Sequence, residues 1–451
     1  MRAFFQQSNF TDGALALALS PALTPTGIVH HPVFFSGFSL YPQIIARGLL
    51  VLADITSTNY FQYKPEFQKD PVLSAQGDRV RAECFSACNG VYARLDLLRE
   101  GLDGEIYRGT TNVDIGIGLR QALAKVNSKD RLHLNIGDQG LATRHIEDKG
   151  NHLNGLDKII LQRPVQMPNR WIRALGNIAE IHKNMKPVFT IKGPQAQMFV
   201  STLPNVTSKN QSGWLVLSRS GIKLMSRSDT HSVYISGLHR LNALKRLITN
   251  IKSLTFYCLQ NNEQGPCMIE VSLLGARLTL SLTAEAWQGY SGEGALLTSL
   301  VSSAEQKDSK IVNDLLQFDA LINKEQLSNI SALEDYRIER ALAYLAVSGK
   351  LGFDAYEGSY FHRELPEDPN RILKDNPRLI GAHKLVDRIE KIDEITWMVN
   401  STNDCYRVSI STNQLNCNPQ CTCSWYLKNQ HKKGPCKHVL AVQIKEGIYE
   451  L

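Results

Sequence analysis

The sequence predicts an α+β multidomain protein, and three observations carry that expectation. Its 451 residues suffice for two to four domains with a sizeable core. Stretches with the two-residue apolar alternation of strands and stretches with helical apolar spacing both occur along the chain. Charge is also segregated: residues 166–300 carry 14 basic and 6 acidic groups, whereas 301–369 carry 7 basic and 13 acidic ones. These shifts divide the chain into a mixed α/β region without assigned topology (1–165), a basic α+β domain (166–300), an acidic helical segment (301–369) and a small cysteine-bearing unit of strands plus one helix (370–451).

The composition, 43% hydrophobic and 21% charged, is that of a soluble globular protein. The longest early apolar run, Ala14 to Leu19, is too short to span a bilayer. It follows Thr11 and Asp12 instead of a basic stretch, which argues against a secretory signal. Nine cysteines, an odd number, fit a reducing cytoplasm with one metal site better than a disulfide framework. No membrane contact is expected.

In the first region, Gly118 to Val126 has helical spacing and Arg131 to Ile136 alternates like a strand. Cys84 and Cys88 lack a second pair nearby and are read as core or surface thiols. Met167-Pro168-Asn169-Arg170-Trp171 opens an amphipathic helix with Trp171, Leu175, Ile178 and Ile181 on its core stripe. Strands follow at Pro187 to Lys192, Gly213 to Leu217 and Ser232 to Ile235. A helix from Gly237 to about Lys252 then places Leu238, Leu241, Leu244 and Ile248 on one face. Its Arg240, Lys245, Arg246 and Lys252 read as a solvated face or, more sharply, a phosphate-facing one. After strands at Pro266 to Leu274 and Ala276 to Leu282, the glycine-rich Trp287 to Gly294 lacks the Lys-Ser or Lys-Thr of a phosphate loop and reads as a surface turn.

Helices at Ser309 to Asp319, Lys324 to Ile330 and Ala332 to Ser348, then a hairpin in LGFDAYEGSYFHRELP, give the element order of a winged helix. The third helix offers Glu334, Asp335, Arg337, Glu339 and Arg340, a net negative set that suits protein docking better than DNA phosphates. His362 and Arg363 read as surface or hinge residues. A helix from about Leu379 to Lys391 and strands at Ile395 to Asn400 and Tyr406 to Ile410 lead to the cysteines.

The most specific chemistry lies in CTCSWYLKNQHKKGPCKH, residues 421–438. Cys421, Cys423, Cys436 and His438 supply three thiolates and one imidazole, a ligand set for tetrahedral zinc. Four protein ligands leave no open coordination position, so one structural Zn2+ is expected and no catalytic metal. Cys421 and Cys423 belong on a turn after a strand; Cys436 opens a helix through Ile444. Cys417 could replace Cys421, and His431 could replace His438; Cys405 reads as a core thiol. No catalytic residue, nucleophile–base pair, Walker loop or dinucleotide fingerprint can be named, and a non-enzymatic protein is expected.

Cys-x-Cys, a variable gap and Cys-x-His resemble the SWIM zinc finger, with Trp425 and the GPCKH run adding to the match. More loosely, GLDGEIYRGTTNVD (101–114), QMPNRWIRALGNIAEI (166–181), WQGYSGEG (287–294) and YFHRELP (360–366) resemble bacterial SWIM-finger proteins that accompany MoxR-type AAA+ ATPases and von Willebrand factor A proteins. The resemblance implies binding to a protein partner, an AAA+ ATPase or von Willebrand factor A protein. For SWIM fingers as a class it also implies DNA binding, here through the finger and the basic middle domain.

Overall fold

The computed structural model describes four short strands within residues 9–29, then residues 33–61, 71–137, 140–146, 159–162, 169–207, 211–219, 221–259, 263–290, 304–363, 365, 377–401, 404–410, 419–429 and 434–447. At its centre lies an eight-stranded antiparallel sheet. Its spatial order is Arg108–Asn112, Val72–Gln76, Arg79–Phe85, Val91–Leu98, Ala276–Leu282, Cys267–Ser272, Ser253–Cys258 and Lys186–Lys192. The sheet's two halves come from opposite sides of residue 165, so the expected boundary there falls inside one sheet. Val91–Leu98 and Ala276–Leu282 join the halves, in register from Leu97 opposite Ala276 to Val91 opposite Leu282. A five-stranded antiparallel sheet, in which Val33–Ser39 lies between Arg131–Gly137 and Leu102–Ile106, packs beside this one and shares its core.

The two faces of the large sheet are covered differently, because alternate side chains point to opposite sides. One face is apolar and receives the helix Pro42–Ser57, whose Gly48 lies so close to Leu95 that an added Cβ would sit 2.9 Å from it. Helix Ile117–Lys125 and the 3-10 helix Leu238–Asn250 flank it. The sequence reading of the latter as an α-helical face needs correction. Its buried leucines are Leu238, Leu241, Leu244 and Leu247, a spacing of three that matches the three residues per turn of a 3-10 helix. Arg240 does not belong to a solvated or phosphate-facing surface. It is fully buried and donates to the carbonyls of Gly90, Ser236 and Thr283.

The other face carries charge. Two rows cross the strands: Arg81, Asp96 and Arg277 stand opposite one another, as do Glu83, Arg94, Thr279 and Glu270. All are buried. Asp96 accepts from Arg81 at 3.0 Å, Arg94 at 3.1 Å and Arg277 at 3.0 Å. The helix Asn169–Lys183 and the hairpin Leu351–Asp354/Ser359–His362 close over these rows. The hairpin contributes Asp354, within 2.9 Å of Arg81 and 3.0 Å of Arg94 and also paired with Arg277. It also inserts Phe361, whose ring lies 4.0 Å from the Arg81 guanidinium carbon and 5.3 Å from that of Arg94.

The hairpin is therefore not a solvent-exposed wing. His362 and Arg363, read from sequence as surface or hinge residues, are both fully buried. Arg363 pairs with Glu83 and donates to the carbonyls of Gly349 at 2.7 Å and Leu351 at 2.8 Å. His362 Nδ1 accepts from the Phe318 backbone N–H at 3.0 Å. The preceding helices, Ala304–Leu315, Lys324–Ser331 and Asp335–Val347, form their own core around Leu316, Leu342 and Leu345. At their surface Arg337 holds Asp308 with two bonds of 2.7 and 2.8 Å, and Lys324 pairs with Glu339 at 2.7 Å.

Gly352 faces the hairpin's aromatic insert so closely that an added Cβ would lie 2.1 Å from the Phe361 ring. Gly352→Ala is expected to cost about 1–3 kcal/mol by displacing that ring, seen as a lower midpoint of chemical unfolding. An unchanged midpoint would mean that the hairpin shifts freely over the charged rows.

The same region sets a pH window. Burial outweighs Arg277, 2.8 Å away, and pushes the Glu270 carboxyl up to about 8 from its ordinary 4.5, so stability falls as pH rises through that interval. Burial, with Arg94 nearby, pushes His182 down to about 3 from 6.5, so stability falls as pH drops through that interval. Between 4.5 and 6.5 the two slopes oppose each other. Stability is expected to be flat there and to decline on both sides. Unfolding midpoints measured across pH check this; Glu270→Gln should flatten the alkaline side.

Candidate metal centre

The C-terminal unit is built on the antiparallel strands Ile389–Lys391, Thr396–Asn400, Cys405–Ser409 and Gln420–Cys421. The expected helix over 379–391 is shorter, Pro377–His383, and gives way to a 3-10 turn and the first of these strands. Trp397, Val399 and Val408 fill the core with Val439, Leu440 and Val442 of the last helix, Lys437–Glu446.

Each ligand is positioned by its own backbone. Cys421 ends the strand opposite Val408. The next residue, Thr422, pins the turn by donating its N–H to the Arg407 carbonyl at 3.1 Å and accepting the Arg407 N–H at 3.0 Å. Cys423 then starts a helical turn, its carbonyl accepting from Leu427 at 3.0 Å ahead of helix Ser424–Asn429. In the second half Gly434 adopts φ +71°, open to glycine at little cost, and Pro435 follows. Cys436 caps the last helix, which places His438 in its first turn.

These elements bring all four predicted ligands together. Three sulfurs and one ring nitrogen lie within 4.8 Å of one another, and each residue is at most 4% exposed. His438 Nδ1 stands 3.8 Å from Cys421 Sγ and 3.9 Å from Cys436 Sγ. Zinc–sulfur bonds of about 2.3 Å and zinc–nitrogen bonds of about 2.0 Å in a tetrahedron separate such donors by about 3.6 Å, so the donor set fits zinc with small adjustment. Backbone N–H groups reach two of the sulfurs, Tyr426 to Cys423 at 3.4 Å and Cys423 to Cys421 at 3.5 Å, and would share the negative charge of bound thiolates. The Cys421 thiol donates to Cys436 and, helped by His438, holds it down to about 4. Cys421 itself is pushed up by giving that bond, and Cys423 by burial, so loading zinc displaces protons from both.

The surround is aromatic and cationic. The Tyr406 ring lies 4.4 Å from the His438 ring. Arg378, from the short helix, places its guanidinium 4.6 Å from the Trp425 ring and donates to the Pro435 carbonyl at 2.9 Å, which ties the two halves of the loop to one side chain.

Residues 406–445 match the SWIM zinc finger family model. The protein thus carries a SWIM-type zinc finger with a structural Zn2+ held by Cys421, Cys423, Cys436 and His438. The two alternative ligands, Cys417 and His431, lie outside the described residues. Cys405, expected in the core, is exposed at the start of strand Cys405–Ser409; Cys84 and Cys88 are buried in the large sheet region. Comparison with curated proteins yields no match. Among the solved structures to which the chain shows likeness are two with low TM-scores. The Proliferating Cellular Nuclear Antigen from Entamoeba histolytica has 8% identity and a TM-score of 0.37, over 56% of this chain and 99% of that one. The PCNA2-PCNA3 complex from Sulfolobus tokodaii has 10% identity and a TM-score of 0.38, over 55% of this chain and 100% of that one. Among the described residues no helix is long and apolar enough to cross a membrane.

Sequence reasoning did not find the buried Arg–Asp rows. Their signal was present, since Arg79, Arg81 and Glu83 alternate along one strand and Arg94 and Asp96 along the next. Such alternation ordinarily marks a solvated sheet face. The helix Asn169–Lys183 and the hairpin, both distant along the chain, reveal that this face is covered.

Proposed function

We propose that the protein is a non-enzymatic docking component whose zinc-braced finger binds a protein partner in an AAA+ ATPase system. The observation that carries this reading is a closed, four-ligand site beneath a surface with large exposed apolar side chains. Leu427 is 67% exposed on the helix between the two ligand pairs, and Ile392 and Ile395 are 56% and 46% exposed at the turn joining two strands of the same sheet. A metal-fixed scaffold presents such side chains at low entropic cost, which is what a docking surface needs. The AAA+ assignment rests on the resemblance of residues 101–114, 166–181, 287–294 and 360–366 to SWIM-finger proteins that accompany those ATPases. No catalytic residue is assigned: the densest set of titratable groups, around Asp96 and Asp354, is buried and engaged internally.

The test is affinity capture from the native host with the zinc-loaded full chain and with a Leu427→Asp, Ile392→Asp, Ile395→Asp variant. The expected result is an AAA+ ATPase or von Willebrand factor A protein retained by the parent and lost by the variant. An identical partner set for both would overturn the finger's role, and nuclease-sensitive capture by the finger would favour nucleic acid instead.

A further inference from the structure

The outer surface of the helical layer on the large sheet carries five cations against one carboxylate, and we propose that it binds the phosphate backbone of duplex DNA. The layer consists of the three helices Pro42–Ser57, Ile117–Lys125 and Leu238–Asn250, with the first touching both others. Their charged side chains that are not buried are Arg47, Arg120, Lys125, Lys245 and Arg246 against one carboxylate, Asp54. A face serving solubility alone mixes both signs; this one does not.

Hydrogen bonds gather two of the guanidinium groups on one carboxylate and fix a third on the neighbouring 3-10 helix. Arg246 grips Asp54 through two nitrogens, and Arg120 reaches the same carboxylate at 3.2 Å and Ser57 Oγ at 3.2 Å. Arg47 donates to Thr249 Oγ1 and Asn250 Oδ1, both at 2.7 Å. Ser57, Thr249 and Asn250 orient the cations without neutralising them, so the single negative charge of Asp54 is shared by Arg120 and Arg246 while Arg47 rests on neutral groups. Arg120 and Arg246 remain 30% and 42% exposed, with nitrogens left to donate outward. Lys125 is exposed, and Lys245 reaches Asn205, a neutral group, at 3.4 Å.

The rest of the surface selects among polyanions. None of the three helices contains Phe, Tyr or Trp, so single-stranded nucleic acid would find no ring to stack on. Between the cations lie Gln43, Gln121, Ser57, Thr249 and Asn250, neutral groups suited to phosphate oxygens, while Ile117 and Ile248 are the large apolar side chains that are not buried. That is a poor anchor set for a protein interface. The first helix spans about 24 Å, a length over which a duplex presents about 14 phosphates. Contacts to phosphates alone carry no sequence preference. The surface does not involve the finger, so its failure would leave the docking proposal standing.

The test is fluorescence anisotropy of a labelled duplex of about 30 base pairs against the zinc-loaded full chain, from about 50 to 300 mM salt. Four net cations predict a log–log slope of about −3 to −4. Lys125→Glu with Lys245→Glu should weaken binding at least tenfold, Gln121→Glu should weaken it less, and Lys428→Glu on the finger should leave it unchanged. The Gln121 variant keeps the test valid if the double variant proves unstable. Absence of binding at low salt, insensitivity to these helical changes, loss through Lys428→Glu, or binding to phosphatidylserine vesicles in place of the duplex would each overturn the proposal.

Discussion

Replacing Cys436 with serine is expected to abolish zinc binding and unfold the described residues of the C-terminal unit while the large sheet stays folded. The unit's own core is small, built on Trp397, Val399, Val408 and a few residues of the last helix. Zinc bound to isolated fingers of this size contributes about 10–16 kcal/mol, more than such a core supplies by itself. Cys436 occupies the N-cap position of the last helix without a side-chain cap bond and lies 3.9 Å from His438, so serine there leaves the helix start intact and the loss is that of the metal ligand. The sheet has a separate hydrophobic core, which limits the damage; Tyr344 and Val347 are the points where the finger's core reaches the helical segment. Elemental analysis should find one zinc per parent chain and none in the variant, and amide exchange should become fast in strands Thr396–Asn400 and Cys405–Ser409 and helix Lys437–Glu446, not in the large sheet. Slow exchange there after chelation would show that packing, not metal, holds the unit.

Asp354→Ala is expected to be the most damaging single change outside the finger, at about 3–5 kcal/mol. The carboxylate faces Arg81, Arg94 and Arg277, and all four side chains are at most 6% exposed. Arg94 and the other two guanidinium groups hold it well below the ordinary carboxylate range despite burial. Without it three buried cations share Asp96, and the hairpin's remaining charged tie to the sheet is the partly exposed Glu357, 3.2 Å from Arg277 and 3.4 Å from Arg79, while Phe361 still occupies its slot. Limited proteolysis should therefore cut the variant between the helical segment and the sheet under conditions where the parent resists. A parent-like proteolysis pattern and midpoint would mean that Phe361 and Arg363 suffice to hold the hairpin.

The local elements and the metal site were legible in the sequence because their signals are short-ranged. Strand Ser232–Ile235 and strand Ala276–Leu282 fall where alternation places them, and Cys-x-Cys with Cys-x-His carries its geometry within 18 residues of chain. What was hidden depends on partners far along the chain. Arg240 looked solvated because helical spacing put it beside Lys245, but its acceptors lie at residues 90, 236 and 283. Arg363 looked like a hinge residue after a hairpin, yet its carboxylate partner is Glu83, 280 positions earlier. Likewise the boundary expected at residue 165 followed charge, whereas strand pairing ignores it.

That pairing has a consequence for biosynthesis. Asp96 meets Arg277, a partner 181 residues downstream. At about 5–20 residues per second, the ribosome needs about 10–40 s to deliver that partner. For that interval the strand Val91–Leu98 has an open edge, with buried-type charge on one side and Leu95 on the other. Nascent chains of this protein should therefore be clients of ribosome-associated chaperones until Leu282 emerges, and a translational slowdown between the two halves should lower soluble yield more than one placed after them.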